Sequence, residues 1–258
     1  MIKKVAIPVF LTLWLPAISL ADIDRDNPSA YGIGILTCPY ASFMVGSECF
    51  RSLSWLREPV KLYEEPADDA NVVGTILDPT DLDPTEDLQG WQPFHFWETD
   101  GSEKALDIVE VGYEEKAIVI HEQEEMWLRT GQGWLKKEDV RLNASTVFLS
   151  WDTVLGYQMH GILEEGQPYI GWFYPIANQS LLDSPGGEEI GVFWDLLRDG
   201  NRPELLVLNR QDNWIEVTID TVGMTCSSQN KEPDGPTGWI QLTNENENPL
   251  VYWYTRGC

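Results

Sequence analysis

From Glu125 to Val140 the chain reads E-M-W-L-R-T-G-Q-G-W-L-K-K-E-D-V. The stretch predicts a strand ending in Trp127-Leu128-Arg129, a tight Gly131-Gln132-Gly133 turn, and a second short strand opening on Trp134. A fainter version recurs near the C-terminus as Trp214-Ile215-Glu216-Val217 and then Gly238-Trp239-Ile240-Gln241. A feature that occurs twice points first to repeated architecture and only then to a site.

The flanking sequence repeats in the same order. Leu62-Tyr63-Glu64-Glu65-Pro66 is answered by Leu181-Leu182-Asp183-Ser184-Pro185, and Val72-Val73-Gly74-Thr75-Ile76 by Glu189-Ile190-Gly191-Val192-Phe193. The apolar run Lys116 to His121 is answered by Glu204 to Leu208, and Gly133-Trp134 by Gly238-Trp239. The spacing between copies is not constant, so loops of different length must separate the strands. The first copy is longer between Gly74 and Trp127, and the second between Trp214 and Trp239; both extra pieces are polar and turn-rich, as surface insertions are. The first, 78–115, holds twelve acidic residues against one lysine, with Pro79, Pro84 and Pro93. A hairpin is expected in it around Trp91 to Trp97, and a weak helical turn from Lys104 to Val109. With 12 Trp, 9 Tyr, 21 Gly and 16 Pro in 258 residues, the composition suits many short strands joined by turns. The expected class is all-β.

Lys3 and Lys4, the proline-broken apolar run Val5 to Leu20, and Ser19-Leu20-Ala21 before Asp22 have the three-part form of a secretory signal. Residues 1–21 are read as that signal, with no membrane span after it and a periplasmic or secreted product. In an oxidising compartment Cys38, Cys49, Cys226 and Cys258 are expected to form disulfides, with three possible connectivities. Nearness in sequence favours Cys38–Cys49 and Cys226–Cys258. No two cysteines have zinc-ligand spacing, the histidines His95, His121 and His160 are scattered, and neither a metal nor a cofactor is expected. The acidic run from Asp78 to Asp87 is read as a solvated loop, with a weak calcium site as the alternative; it lacks the turn glycine and final glutamate of an EF-hand.

The repeated pattern resembles the bacterial Src-homology-3-like (SH3-like) family. Its shared features are an early strand, a Pro-containing turn, a strand ending near Gly, a middle strand, then Trp and Gly-Trp followed by an aliphatic residue. The resemblance implies two small SH3-like barrels in tandem with loop insertions. The corresponding division is a disulfide-tied N-terminal segment at 22–59, a first domain at 60–142, a connecting segment at 143–168 and a second domain at 169–258. It also implies that aromatic residues near a barrel mouth can hold peptide or cell-wall fragments. Tyr63, Trp127 and Trp134 are the candidate ligand contacts. Trp127, Trp134, Trp214 and Trp239 are read first as barrel-closing packing residues, with glycines before Trp134 and Trp239 supplying unusual backbone conformations. Leu182 stands where Tyr63 stands, so a groove need not be shared.

A formal net charge of −25 disfavours nucleic acid, because no basic surface is available to displace phosphate counterions. No catalytic constellation is evident: Cys226 has no helical pattern after it to activate a thiolate, and no Gly-x-Ser-x-Gly elbow is present. The expectation is an exported, non-enzymatic binding module of the bacterial envelope that recognises a protein partner or a cell-wall fragment. An inhibitor-like or structural protein acting through its acidic face is the first alternative, and a carbohydrate-active enzyme the second.

Overall fold

A computed structural model describes residues 27–37, 59–76, 95–112, 115–144, 147–164, 172–192, 204–220 and 235–254. The signal segment, all four cysteines and the 78–87 acidic run lie outside the described residues.

The described chain is all-β with two α-helices. Its first part runs β1 (Gly34–Thr37), β2 (Val60–Tyr63), β3 (Val72–Ile76), β4 (His95–Glu98), β5 (Glu103–Ala105), β6 (Ile108–Gly112), β7 (Glu115–Ile120), β8 (Glu122–Glu124), β9 (Trp127–Arg129) and β10 (Trp134–Lys136). Helix α1 (Lys137–Ala144), β11 (Val147–Ser150) and helix α2 (Trp151–Glu164) follow. The second part runs β12 (Trp172–Pro175), β13 (Ser180–Leu182), β14 (Glu189–Val192), β15 (Glu204–Gln211), β16 (Trp214–Asp220), β17 (Thr237–Gln241) and β18 (Val251–Tyr254).

Strand register in the second part of the described chain matches that in the first. Tyr63 faces Trp134, and Leu182 faces Trp239. Trp127 faces Lys136 and Glu124, while Trp214 faces Gln241 and Gln211. Leu62 faces Gly74, and Leu181 faces Gly191; in each hairpin the register shifts just after that leucine. The turn entering β9 has Glu125 at φ 38, and the turn entering β16 has Asp212 at φ 51. The two hairpins thus share a bulge and a left-handed turn residue at matching positions.

The register carries the repeat beyond the stretches where the motifs match. Leu36 on β1 faces Ile118 on one side and Phe148 of β11 on the other. Phe173 on β12 likewise faces Leu205 and Trp253 of β18. The 22–59 segment therefore supplies an internal strand of the first repeat, and the 143–168 segment supplies its last. The stretch from Lys104 to Val109 holds parts of β5 and β6 where a helical turn was expected. β6 lies on β7, Ile108 facing Ile118, as the far end of β16 lies on β15, Leu205 facing Ile219. The inserted strand thus supplies sheet that β9, ending at Arg129, does not reach.

Inward positions match as well. Leu36, Leu62, Ile118, Ile120, Leu128 and Leu135 fill the first core, and Phe173, Leu181, Leu205, Val207, Ile215 and Ile240 the second. Phe96 and Leu106 of the insertion complete the first; Leu155 and Met159 of α2 complete the second. A third core lies between the repeats. The opposite faces of β1 and β7 (Ile35, Ala117, Val119) pack there with Tyr31, Val109, Val111, Trp151, Val154 and Ile176. β7 is buried on both faces, and this is why Ala117 to Ile120 reads as an unbroken apolar run.

Helix α2 occupies what reads in sequence as a Gly-rich apolar stretch. Trp151, Val154, Leu155 and Met159 have helical spacing and are buried, and the Ser150 hydroxyl caps the first turn by accepting from the Thr153 amide at 3.3 Å. Gly156 leaves room for Arg210, whose guanidinium pairs with Asp152 at 2.6 Å and ties the helix to β15. Among the described residues no helix is long and apolar enough to cross a membrane.

Candidate functional site

The period of β9 and β10 decides which side chains meet. Leu128 and Leu135 point into the first core and are fully buried. Their neighbours Trp127, Arg129, Trp134 and Lys136 consequently share the opposite, outer face. Tyr63, directly across from Trp134, joins that face. Trp127 is therefore a half-buried residue of the sheet surface, whereas Trp134 on the same face is buried as a packing residue, and the first core is filled by aliphatic side chains and Phe96.

Tyr63 and Trp127 form an edge-to-face pair with ring centroids 5.3 Å apart and an interplanar angle of 83°, a favourable arrangement of two ring quadrupoles. The ammonium of Lys136 lies 5.7 Å from the Tyr63 ring centre and 5.3 Å from that of Trp127, within cation–π range of both. It also pairs with the exposed Asp68 carboxylate at 2.6 Å. Trp134 belongs to the same face but is only 7 % exposed, with the Arg129 guanidinium 6.0 Å from its ring centre. Of the three candidate contacts, Tyr63 and Trp127 are half-buried and reachable, and Trp134 is the covered floor beside them. Lys136 and Asp68, absent from the expected set, complete the cluster. Their signal in the sequence was weak, because Lys136 is two residues past Trp134 and Asp68 lies in an ordinary polar turn.

Gly133 and Gly238 make the face possible by a route other than the one expected. Neither has positive φ. A Cβ on Gly133 would come 2.9 Å from the Tyr63 carbonyl oxygen, and one on Gly238 would come 2.7 Å from that of Leu182. Both glycines admit the neighbouring backbone.

The hydrogen bond that Lys136 donates to the Asp68 carboxylate is the main reason it holds its proton above the ordinary lysine range. Its folded pKa is raised, so the pair's stabilisation is complete below the ordinary lysine value and is lost as pH rises through the higher folded value. Asp68→Asn is expected to bring the Lys136 titration back towards the ordinary value, read from its side-chain NMR shifts. An unchanged titration would show that Asp68 does not hold the ammonium.

The second repeat keeps Trp214 and Trp239 half-buried on the matching face, but Leu182 replaces Tyr63 and Gln241 replaces Lys136. The aromatic pair with its cation therefore belongs to the first repeat. His121 and Asp107 meet at 3.1 Å. Among the described residues no group of three or more His, Cys, Asp and Glu lies close enough to hold a metal ion. No family model, curated protein or solved structure matches the chain, and the two repeats serve as each other's reference.

Proposed function

We propose that this protein is an exported, non-enzymatic binding module of the bacterial envelope, made of two diverged SH3-like units, that recognises a protein partner or cell-wall fragment. The observation that carries the reading is the Tyr63–Trp127 pair beneath Lys136. Edge-to-face aromatic rings offer apolar area and π-faces at low conformational cost, and the Lys136–Asp68 pair beside them offers one group of each charge. The first repeat has this group, while the second, with the same register, has Leu182 and Gln241 at the matching positions. Retention is therefore expected to depend on one repeat.

The test uses the purified chain immobilised against envelope extract and against isolated cell-wall material. Trp127→Ala is expected to reduce retention at least about tenfold, the scale of an aromatic hot spot, while Trp214→Ala leaves it nearly intact. Equal retention by both variants would overturn the reading. A second reading, action through the acidic face, rests on the exposed edge strand β8 with Glu122, Glu124 and Glu125. Retention lost in moderate salt but indifferent to Trp127→Ala would favour it.

A further inference from the structure

Gly191 is unexplained by its own surroundings. A glycine inside a strand weakens it, and a frequent reason for one is the close approach of another backbone. At the matching Gly74 that reason is visible. β4 lies alongside in antiparallel register, with Gly74 facing Glu98, Thr75 facing Trp97 and Ile76 facing Phe96. A Cβ at position 74 would fall on the Trp97 carbonyl oxygen and 2.5 Å from Phe96 Cζ. Among the described residues, a Cβ at Gly191 would meet nothing within 4 Å. Among the described residues no strand pairs with the outer edge of β14, which ends its sheet.

That edge also lacks two common defences. Exposed edge strands are commonly protected by lysine or proline; β14 reads Glu189-Ile190-Gly191-Val192, with neither. Its one charged side chain, Glu189, accepts a hydrogen bond from Ser180. Ile190 is 51 % exposed, one of the few large apolar side chains so placed among the described residues.

We propose that the β14 edge docks an extended, basic segment of a partner protein, which adds as an antiparallel strand in the place β4 takes in the first repeat. The first repeat supplies the template. A residue at the Glu98 position faces Gly191, an aromatic residue at the Trp97 position faces Val192, and the following residues run past Ile190 and Glu189. Ladder hydrogen bonds supply affinity in this mode, and alternate side chains supply selectivity. The exposed Glu188 and Glu189, on a chain of net charge −25, select for basic residues at that end. The same charges disfavour a second copy, because two β14 edges paired antiparallel would bring four glutamates into one short ladder. This site stands apart from the Tyr63–Trp127 face and does not depend on it.

The probe is a blocked synthetic peptide, HFWKTK, the 95–100 sequence with its two acids replaced by lysine. It is added at millimolar concentration to the full-length protein while amide hydrogen exchange is followed. Exchange at residues 189–192 is expected to slow, with 60–63 unchanged. Gly191→Val, which fits the free protein, is expected to weaken binding at least about tenfold by obstructing strand approach. N-methylating alternate backbone nitrogens of the peptide is expected to abolish it. Gly191→Ala serves as a second variant should the valine form fail to fold. No protection at 189–192, protection confined to the Tyr63–Trp127 face, undiminished binding by both glycine variants, or a dimer that protects 189–192 without peptide would each overturn the proposal. Trp127→Ala should leave this binding intact, so its result separates the present site from the one proposed above.

Discussion

Trp151→Ala is expected to destabilise the protein by about 3–5 kcal/mol, the range for removing a large aromatic from a packed interior. Trp151 is 1 % exposed and sits where the two repeats meet. Its indole N–H donates to the Tyr31 carbonyl at 2.7 Å. Its ring packs edge-on to Tyr31 and Tyr252, with centroids 6.1 and 6.4 Å away. Tyr31 leads into β1 of the first repeat, and Tyr252 lies on β18 of the second. The truncation therefore empties a core that both repeats share, and the loss is large beside a total stability of about 5–15 kcal/mol. Trp151→Phe separates packing from hydrogen bonding. It keeps a ring but leaves the Tyr31 carbonyl without this donor, an expected cost of about 1–3 kcal/mol if no water replaces it. Urea unfolding followed by far-UV circular dichroism provides the measurement. A loss below about 1 kcal/mol for the alanine variant would show that the repeats are stable without their shared core. Splitting of one transition into two would show that this core is what makes them unfold together.

The shared core also shows where the sequence stopped being readable. The repeat was legible wherever it rests on turn chemistry: Gly133-Trp134 and Gly238-Trp239, the Pro66 and Pro185 turns, and the strands before Gly74 and Gly191. β1 and β12 were not legible as a pair, because their equivalence lies in register and burial, with Leu36 and Phe173 in one position and no turn residue in common. Helix α2 was hidden by Gly156 and Gly161, although Trp151, Val154, Leu155 and Met159 carry its period. Gly156 has a packing reason that only the position of Arg210 reveals. Inside the acidic insertion, the many charged residues masked Phe96, Leu106, Val109 and Val111, all buried.

The candidate site was half legible for a related reason. Tyr63 and Trp127 were named from the motif, and the fold brings them together. Their exposure depends on which residues of a period-two strand face inward, and a three-residue strand such as Trp127-Leu128-Arg129 is too short to fix that from sequence. Once Leu128 and Leu135 take the core, the tryptophans must take the opposite face, where Trp127 is half-buried and Trp134 is buried. Lys136 then falls across from Trp127 by register alone.

Gly74→Ala and Gly191→Ala are expected to change stability in opposite directions, although the two glycines hold the same place in their repeats. At Gly74 the added methyl would overlap the Trp97 carbonyl and the Phe96 ring. Overpacking alone costs about 1–3 kcal/mol. Relief by moving β4 away would draw Phe96, 2 % exposed, out of the first core, and full loss of a buried Phe costs about 3–5 kcal/mol. A net loss of about 2–4 kcal/mol follows from partial relief between these limits. At Gly191 the methyl meets nothing among the described residues, and the backbone lies outside the left-handed region. Alanine there restricts the unfolded chain without straining the folded one, a gain of about 0.4–1 kcal/mol. Parallel urea titrations of the two variants make the comparison. A loss at Gly191 as large as that at Gly74 would mean that something already lies against β14 in the free protein, and the edge would then be closed to a partner. Opposite signs would leave Gly191 with a cost to the isolated chain and no internal contact to justify it, as expected of a position kept open for a strand from outside.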